Sequence, residues 1–295
     1  ESHGAEPPAR RRQQVGDRRG SRLRHRESLS RRRACGNVTE LGACVVSSRN
    51  KLRRQEEEAV DRPAVLDGPA TIFEGGVRVP AAAHALISFR EWVHSDRFPE
   101  RGRVDFLDGD VELEMSPEDL YTHGAVKAAI AAELHSLVSS ADLGHLFIDR
   151  ARVTAPLAGL SVEPDIVVVL WGSFETGRVR HVPAKGGGEG RFVEIEGAPD
   201  LVVEIVSDGS ERKDTERLPR LYARAGVPEL WRIDARADRP LFQILTLTAV
   251  GYGGGQPDPE GWVLSAVLGR RFRLRRERAR HTTWRYFLEH GPLLT

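Results

Sequence analysis

The sequence predicts a mixed α/β fold in which a partly parallel central sheet is flanked by helices. Residues 166–170 (IVVVL) and 201–206 (LVVEIV) are nearly continuous apolar runs rich in β-branched residues. Such runs are typical of central strands that are covered on both faces. Segments of helical and of strand periodicity also alternate along the chain, as they do in layered α/β proteins.

Four helices are predicted from apolar spacing and from end signals. Residues 84–94 (HALISFREWVH) form a short amphipathic pattern, and residues 121–139 place apolar side chains at helical spacing. Residues 214–225 follow with Asp214 as the N-cap and Gly226 as the stop signal. A last helix is predicted over residues 282–289.

The remaining elements are predicted to be strands. Residues 104–107 and 111–115 flank Asp108-Gly109-Asp110, and Asp-Gly supplies the positive φ of a tight hairpin turn. The polar stretch between the two apolar runs contains Gly186-Gly187-Gly188 and is predicted to be a flexible loop. The other strands are predicted at residues 145–154, 229–233, 241–248 and 261–268.

The net charge of +1 hides two oppositely charged parts. Residues 1–54 carry a net charge of +10 and the rest of the chain carries −9. We expect a disordered Arg-rich extension over residues 1–64, a Gly- and Pro-containing connector over 65–80 and one folded domain over 81–295. The extension is interpreted either as a nucleic-acid-binding arm or as a solvated tail without a native role.

Composition argues against several other classes of protein. The chain has no run of about 18 apolar residues and no apolar segment after its basic N-terminus, so neither a membrane span nor a secretory signal is predicted. Its two cysteines, Cys35 and Cys44, leave the folded part without a disulfide and do not form a zinc-binding set. We therefore expect a cytoplasmic protein.

Two acidic residues stand within or beside the buried strands. Asp165 follows Glu163-Pro164 and opens the first apolar run, and Glu204 interrupts the second. An ionised carboxylate in a buried strand is costly unless it is compensated, and a divalent metal is one compensator. Alternatively, Asp165 caps a strand or turn and Glu204 pairs with one of the many arginines.

The helix predicted at 121–139 adds two candidates that support the acidic pair. His123 lies three residues before Val126, and Glu133 lies between Ile130 and Leu137 on the apolar stripe. Both therefore face inward, as ligands or as neighbours of a metal site. The alternatives are a hydrogen-bonded core histidine and a glutamate that reaches water at the edge of the stripe.

Lysine is rare in the chain, with four residues against 40 arginines. Lysine can exchange a proton with water, whereas arginine stays protonated. Lys213 precedes the helix that follows the Glu204 strand and is the candidate for activating water, while Lys127 lies one turn after His123. A surface position is the alternative for both lysines.

The order of these segments resembles the Uma-two family of restriction endonucleases, within the PD-(D/E)XK nuclease superfamily. The resemblance rests on GDVELEMSPEDLYTHG, EPDIVVV, APDLVVEIVSDGSERKD and LYARAGVPELWRIDA, and it covers residues 88–273. It implies a restriction-endonuclease-like fold and metal-dependent cleavage of phosphodiester bonds. Carried over by position, it implies Asp165 as the first acidic motif, Glu204 as the second, His123 as the histidine of the first family helix and Tyr222 as a packing aromatic.

The chain departs from the superfamily pattern at the lysine. The superfamily places Lys two residues after the second acid, where this chain has Val206. Many family members instead look as if they carry Lys four residues before the tyrosine of the LYARAGV segment. This chain has Leu218 at that position. Lys213 is the nearest replacement.

The leading hypothesis is a DNA endonuclease that uses Mg²⁺, or Mn²⁺, bound by Asp165 and Glu204, with Lys213 catalytic and His123 and Glu133 in support. A homodimer would suit cleavage of both strands. The alternative is a catalytically degenerate nuclease-fold module that binds DNA or a protein partner, and a metal-dependent hydrolase of another substrate is a third hypothesis.

Overall fold

The computed structural model describes residues 66, 68–73 and 76–292. All of them belong to one compact unit, Asp61–Thr295. The predicted extension over 1–64, with Cys35, Cys44 and Lys51, lies outside the described residues. No helix among the described residues is both long enough and apolar enough to cross a membrane.

The described residues form four helices and seventeen strands. The helices are α1 (Leu86–Val93), α2 (Ala125–Ser140), α3 (Trp171–Glu175) and α4 (Leu218–Ala225). The strands are β1 (Ala70–Ile72), β2 (Arg78–Pro80), β3 (Arg103–Leu107), β4 (Asp110–Glu114), β5 (Gly144–Ile148), β6 (Arg152–Ala155), β7 (Leu160–Val162), β8 (Ile166–Leu170), β9 (Val179–Pro183), β10 (Phe192–Gly197), β11 (Leu201–Ile205), β12 (Glu229–Asp234), β13 (Leu241–Thr248), β14 (Gly251–Gly254), β15 (Val263–Ser265), β16 (Arg270–Arg278) and β17 (Trp284–Gly291).

Most strands belong to three sheets. The central sheet has the order β14-β13-β12-β11-β8-β5, and its one parallel pair is β11 with β12. The outer sheet has the order β4-β3-β7-β6-β10-β9, and the C-terminal sheet has the order β15-β16-β17. Strands β1 and β2 pair with each other inside the segment predicted as a connector. The mixed α/β prediction is confirmed.

Alternating side chains of the central sheet enter two different cores. Ile166, Val168, Leu201 and Val203 pack with α2 and with the C-terminal sheet. Their neighbours in the sequence face the other way: Val202 packs against α4, and Val167 and Val169 pack against the outer sheet. The sheet is thus covered on both faces, which explains why its strands are almost wholly apolar.

Strands β8 and β11 are neighbours, as we expected of the two apolar runs, and they run antiparallel. Val203 pairs with Ile166 and Leu201 pairs with Val168. The β3–β4 hairpin also forms as predicted, with Asp108 and Gly109 at positive φ.

Two of the predicted helices begin differently from the prediction. A π-helical turn, Leu120–Gly124, precedes α2, and a second, Lys213–Arg217, precedes α4. Asp214 lies inside the second turn rather than at an N-cap. Turns of this kind are frequent near functional sites.

The helix predicted over 282–289 is wrong, because this segment is strand β17. It pairs with β16 along eight successive residues, from Trp284 opposite Arg278 to Gly291 opposite Arg271. Tyr286 and Leu288 point into the core at a spacing of two residues, which is the strand period.

Two other predicted segments differ in detail. The loop predicted around Gly186–Gly188 is interrupted by β9 and β10. The strand predicted over 145–154 is two strands, β5 and β6, separated by a bend at Asp149 and Arg150.

Candidate active site

Asp165 and Glu204 are buried side by side on the central sheet. Val203 pairs with Ile166, so the same register continued by one residue sets Glu204 directly opposite Asp165. Directly opposed residues point to the same face of an antiparallel pair. The exposed fractions of the two residues are 1% and 2%. The peptide nitrogen of Ile205 donates to Oδ2 of Asp165 at 2.8 Å, which ties this carboxylate to the backbone next to Glu204.

Protein cations compensate the charge of Asp165. Its Oδ1 lies 3.0 Å from a guanidinium nitrogen of Arg103 and 3.2 Å from Nζ of Lys127. Burial alone would raise the pKa of Asp165, but hydrogen bonding to His123 and attraction by Arg103 hold it well below its usual range. Asp165 is therefore an anion in the folded protein.

Glu204 has the opposite electrostatic character. Burial raises its pKa well above the usual range, and repulsion by Asp165 and Asp214 adds to this effect. The hydroxyl of Tyr222 donates to Oε1 of Glu204 at 2.5 Å. Tyr222, which was predicted to pack, thus also orients the second acid.

His123 lies in the π-helical turn before α2 and is 4% exposed. Its Nε2 is 3.4 Å from Oδ2 of Asp165, and its Nδ1 is 3.0 Å from Oε2 of Glu118. Burial would lower the pKa of His123, but hydrogen bonding to Asp165 raises it. Nδ1 is buried and makes no hydrogen bond, although Glu118 lies within ion-pair distance of it.

Both lysines of the site are buried, which excludes the surface alternative. Lys127 is 7% exposed and contacts Asp149 at 2.7 Å in addition to Asp165. Lys213 is 8% exposed, and its Nζ lies 3.1 Å from Oδ2 of Asp105 and 3.1 Å from Oε2 of Glu114. In the part of the chain that is described, Lys213 makes no ion pair with Asp165 or Glu204.

Val206 and Leu218, the two positions at which the resemblance implied a lysine, are buried. Val206 is 1% exposed, and its backbone nitrogen donates to the carbonyl of Ile233. Leu218 is 2% exposed and packs in the apolar cluster beneath α4. Because both positions carry apolar residues, any lysine of this site must come from another part of the chain.

Asp105 is a buried acid that the sequence argument missed. It lies on β3, is 2% exposed, and accepts a hydrogen bond from the backbone nitrogen of Glu163 at 3.1 Å. The signal was present, because Asp105 stands between Val104 and Phe106 just as Glu204 stands between Val203 and Ile205. Through Lys213, Asp105 joins the outer sheet to the turn before α4.

Arg103 and Asp214 belong to the same group of polar side chains. We call this group the polar centre, and its members are Arg103, Asp105, His123, Lys127, Asp165, Glu204, Lys213 and Asp214. Burial would lower the pKa of Arg103, but the attraction of Asp165, Asp105 and Glu204 raises it, and Arg103 contacts Asp165 directly. Burial raises the pKa of Asp214 to about 7. The hydroxyl of Ser210 donates to one oxygen of Asp214, and the other is buried without a hydrogen bond.

Glu133 is not brought into this group. Its Oε1 lies 3.2 Å from Nε2 of His290 on β17, and its side chain is 39% exposed. The expectation that Glu133 faces the acidic pair came from assigning it to the apolar stripe of α2. The contact with β17 shows that it sits where α2 meets the C-terminal sheet.

Two clefts flank the polar centre. One has a volume of about 860 Å³ and contains Lys213 together with Arg212, Arg217 and Arg220 in its wall. The other, of about 330 Å³, is bordered by Arg103, Glu114 and Glu118. Solvent can therefore reach side chains of the polar centre through two clefts.

The donor atoms of the centre suit a divalent metal. Oxygen ligands from Glu118 and Asp165 and a nitrogen of His123 lie within 4.8 Å of one another. Carboxylate oxygens are the ligands preferred by Mg²⁺ and Mn²⁺, and a neutral imidazole nitrogen binds several transition metals. Because Arg103 and Lys127 already compensate Asp165, a metal is not required to explain why this acid is buried.

The chain is similar to a known protein family and to a solved structure. The Uma2 family, described as "Putative restriction endonuclease", matches residues 88–275. One solved structure, described as a putative nuclease belonging to DUF820 from Anabaena variabilis, is 16% identical with a TM-score of 0.38, and the match covers 56% of this chain and 82% of that one. No curated protein matches. Since the family match spans more than half of the chain and includes both acids, this chain belongs to the Uma2 family.

Proposed function

We propose that the protein is a metal-dependent endonuclease that hydrolyses phosphodiester bonds in DNA. The observation that supports this most is the pair of buried acids, with Asp165 directly before β8 and Glu204 on the neighbouring strand β11. Family membership supports a nuclease, and Mg²⁺ or Mn²⁺ and a DNA substrate are our extension of it.

In this proposal Asp165 and Glu204 hold the metal, with Glu118 and His123 beside them. A bound divalent metal supplies an activated water and neutralises charge on the scissile phosphate. Tyr222 orients Glu204 through its hydroxyl, and the backbone nitrogen of Ile205 orients Asp165. These fixed contacts keep the donor atoms in place before substrate binds.

The proposed role of Lys213 is electrostatic. Burial would lower the pKa of Lys213, but attraction by Asp105 and Glu114 raises it above its usual range. Lys213 therefore stays protonated and cannot take a proton from water. A fixed cation beside the larger cleft instead stabilises the negative charge that develops on phosphate.

The test is cleavage of supercoiled plasmid by the purified protein with Mg²⁺ or Mn²⁺. We expect Asp165→Asn and Glu204→Gln each to lower the rate by about 10³-fold or more, since each replaces a carboxylate metal ligand by an amide at a cost of several kcal/mol. Glu229→Gln is the matched control, because Glu229 is a buried acid outside the polar centre. Cleavage that persists in the double variant Asp165→Asn/Glu204→Gln would refute the proposal.

A catalytically degenerate module is the second candidate, and one observation favours it. Arg103 and Lys127 already neutralise Asp165, as expected of a site that no longer binds metal. Isothermal titration with Mn²⁺ distinguishes the two candidates. Absence of Mn²⁺ binding together with absence of cleavage would support the degenerate module.

A further inference from the structure

The C-terminal sheet concentrates positive charge on a protein body that is otherwise acidic. Residues 270–291 contain eight arginines and two glutamates, whereas residues 55–295 together carry a net charge of −9. The two glutamates are both paired with arginines of β16: Glu289 with Arg273 and Arg275, and Glu277 with Arg275. The sheet therefore has a surplus of cations.

That surplus lies at the tip of the β16–β17 hairpin. Arg278, Arg280 and Arg285 are exposed, and within the described residues none of them makes an ion pair with an acid. His281 and Thr282 turn the chain between them at φ values of 58° and 60°. We call these three arginines, with Arg276 and Trp284, the hairpin tip.

Cations surround the indole of Trp284. The guanidinium carbons of Arg276 and Arg278 lie 3.9 and 3.8 Å from its ring centroid. Both distances are short enough for cation–π contact with the ring. Stacking holds the planar guanidinium groups in place while their edges remain able to donate hydrogen bonds.

The hairpin tip is anchored at the same end of the central sheet as the acidic pair. A guanidinium nitrogen of Arg276 donates to the carbonyls of Ala235 and Ala237, directly after β12. Strand β12 runs parallel to β11, with Arg232 beside Glu204. The carboxyl ends of these two strands therefore point toward the tip.

The chemistry of the tip fits the backbone of a duplex and not the bases of a single strand. Single-strand binders stack bases on free aromatic rings. Here the rings are already covered: Trp284 by Arg276 and Arg278, Trp262 by Arg271 and Arg273, and Phe287 by Arg275. What remains for a partner is a row of guanidinium donors, and phosphate accepts from these in pairs.

The length of β16 supports the same conclusion. Its nine residues extend over roughly 27 Å at about 3.3 Å per residue. A duplex has one base pair per ~3.4 Å, so about eight base pairs can lie along the sheet. The net charge of −9 on residues 55–295 repels phosphate at long range and so favours approach to a face with surplus arginine.

We propose that the hairpin tip binds the phosphate backbone of duplex DNA and so directs the substrate to the end of the sheet that carries Asp165 and Glu204. The proposal rests on the proposed function only for the choice of DNA as the partner. It requires neither a metal nor cleavage, so binding can be measured apart from activity.

The experiment compares two triple variants of the full chain by fluorescence anisotropy. A labelled duplex of about 20 base pairs is titrated in EDTA at several KCl concentrations. The test variant is Arg278→Gln/Arg280→Gln/Arg285→Gln. The control is Arg78→Gln/Arg180→Gln/Arg191→Gln, which removes the same charge from exposed arginines on β2, on β9 and in the loop after β9.

We expect the test variant to bind at least tenfold more weakly than the control. We also expect its slope of log K against log salt to be smaller by about 2.7, because each of the three lost phosphate contacts removes about 0.9. Equal weakening in both variants would mean that only net charge matters and would overturn the proposal, as would no weakening in either.

Two further arms test the choice of partner. A single strand of the same sequence should bind more weakly than the duplex and depend less on the tip. A poly-glutamate peptide that binds as tightly as the duplex, with the same loss in the test variant, would assign the face to an acidic protein instead. If the plasmid is never cleaved but the duplex data are as expected, the nuclease proposal fails and this one stands.

Discussion

At the scale of single residues, the acids of the polar centre are paired with cations. Arg103 and Lys127 contact Asp165, and Lys213 contacts Asp105 and Glu114. Each acid is buried with a partner, because an unpaired buried charge would be strongly destabilising. The lysine predicted to serve Asp165 and Glu204 instead bridges the outer sheet to the turn before α4.

Lys213→Gln should lower kcat for plasmid cleavage on the order of 10²-fold, since it removes a fixed cation beside the proposed phosphate site. Mn²⁺ affinity should change little, because Lys213 does not pair with Asp165 or Glu204. Steady-state kinetics and titration calorimetry check these two outcomes. Lys213→Arg should restore part of kcat, whereas an equal loss in Lys213→Arg and Lys213→Gln would argue against a purely electrostatic role.

The acids were predictable from the sequence, and their partners were not. Asp165 and Glu204 stand out because a carboxylate interrupts an apolar strand, and Asp105 obeys the same rule. Lys127 and Arg103 carry no such signal, since a cation on a helix or at a strand end is ordinarily solvated. Only the packing of α2 and β3 against the central sheet brings them to Asp165.

At the scale of elements, local turn chemistry was a reliable guide. The Asp108-Gly109 turn joins β3 to β4, and Gly226 ends α4 at a φ of 83°. The helix prediction for 282–289 was wrong because this segment is too short for its sequence to distinguish a helical period from a strand period. Pairing with β16 decided its conformation, since tertiary contacts override local propensity.

Two glycines permit a matched test of backbone geometry. Gly226→Ala should reduce the free energy of unfolding by about 1–2 kcal/mol, because positive φ is strained for alanine. Gly197→Ala should cost more than about 3 kcal/mol, since its φ is 117° and a Cβ would lie 2.1 Å from the carbonyl oxygen of Arg178. Urea unfolding monitored by circular dichroism checks both values. Similar losses in the two variants would contradict this account.

At the scale of the whole molecule, Glu229 ties the central sheet to the C-terminal sheet. Its Oε1 accepts hydrogen bonds from the indole of Trp231 at 2.7 Å and from the hydroxyl of Ser265 at 2.6 Å, and its Oε2 accepts from the backbone nitrogen of Val267. Glu229 is fully buried, and burial raises its pKa above the usual value of 4.5.

This raised pKa predicts a pH-dependent stability. The unfolded state releases the proton near pH 4.5, and the folded state releases it only at higher pH. Stability from Glu229 is therefore greatest below pH 4.5 and falls as pH rises toward the folded pKa. Relative to wild type, Glu229→Gln should be more stable at pH 8 than at pH 4, as measured by urea unfolding. A stability difference that is the same at both pH values would show that the pKa of Glu229 is not raised.

The assembly of the three sheets was beyond sequence reasoning. Strand order depends on contacts between distant segments, such as β3 with β7 and β6 with β10, and neither pairing has a local signal. The apolar runs nevertheless predicted that β8 and β11 would be neighbours in the interior. The acidic pair was predictable because it depends only on those two strands.

The burial of both Lys127 and Lys213 has a practical consequence for chemical labelling. Among the lysines in the described part of the chain, only Lys185 is exposed. An amine-reactive reagent applied to the native protein should therefore modify Lys185 rapidly and the other two slowly. Mass spectrometry of labelled peptides would then record, lysine by lysine, how often the polar centre opens to solvent.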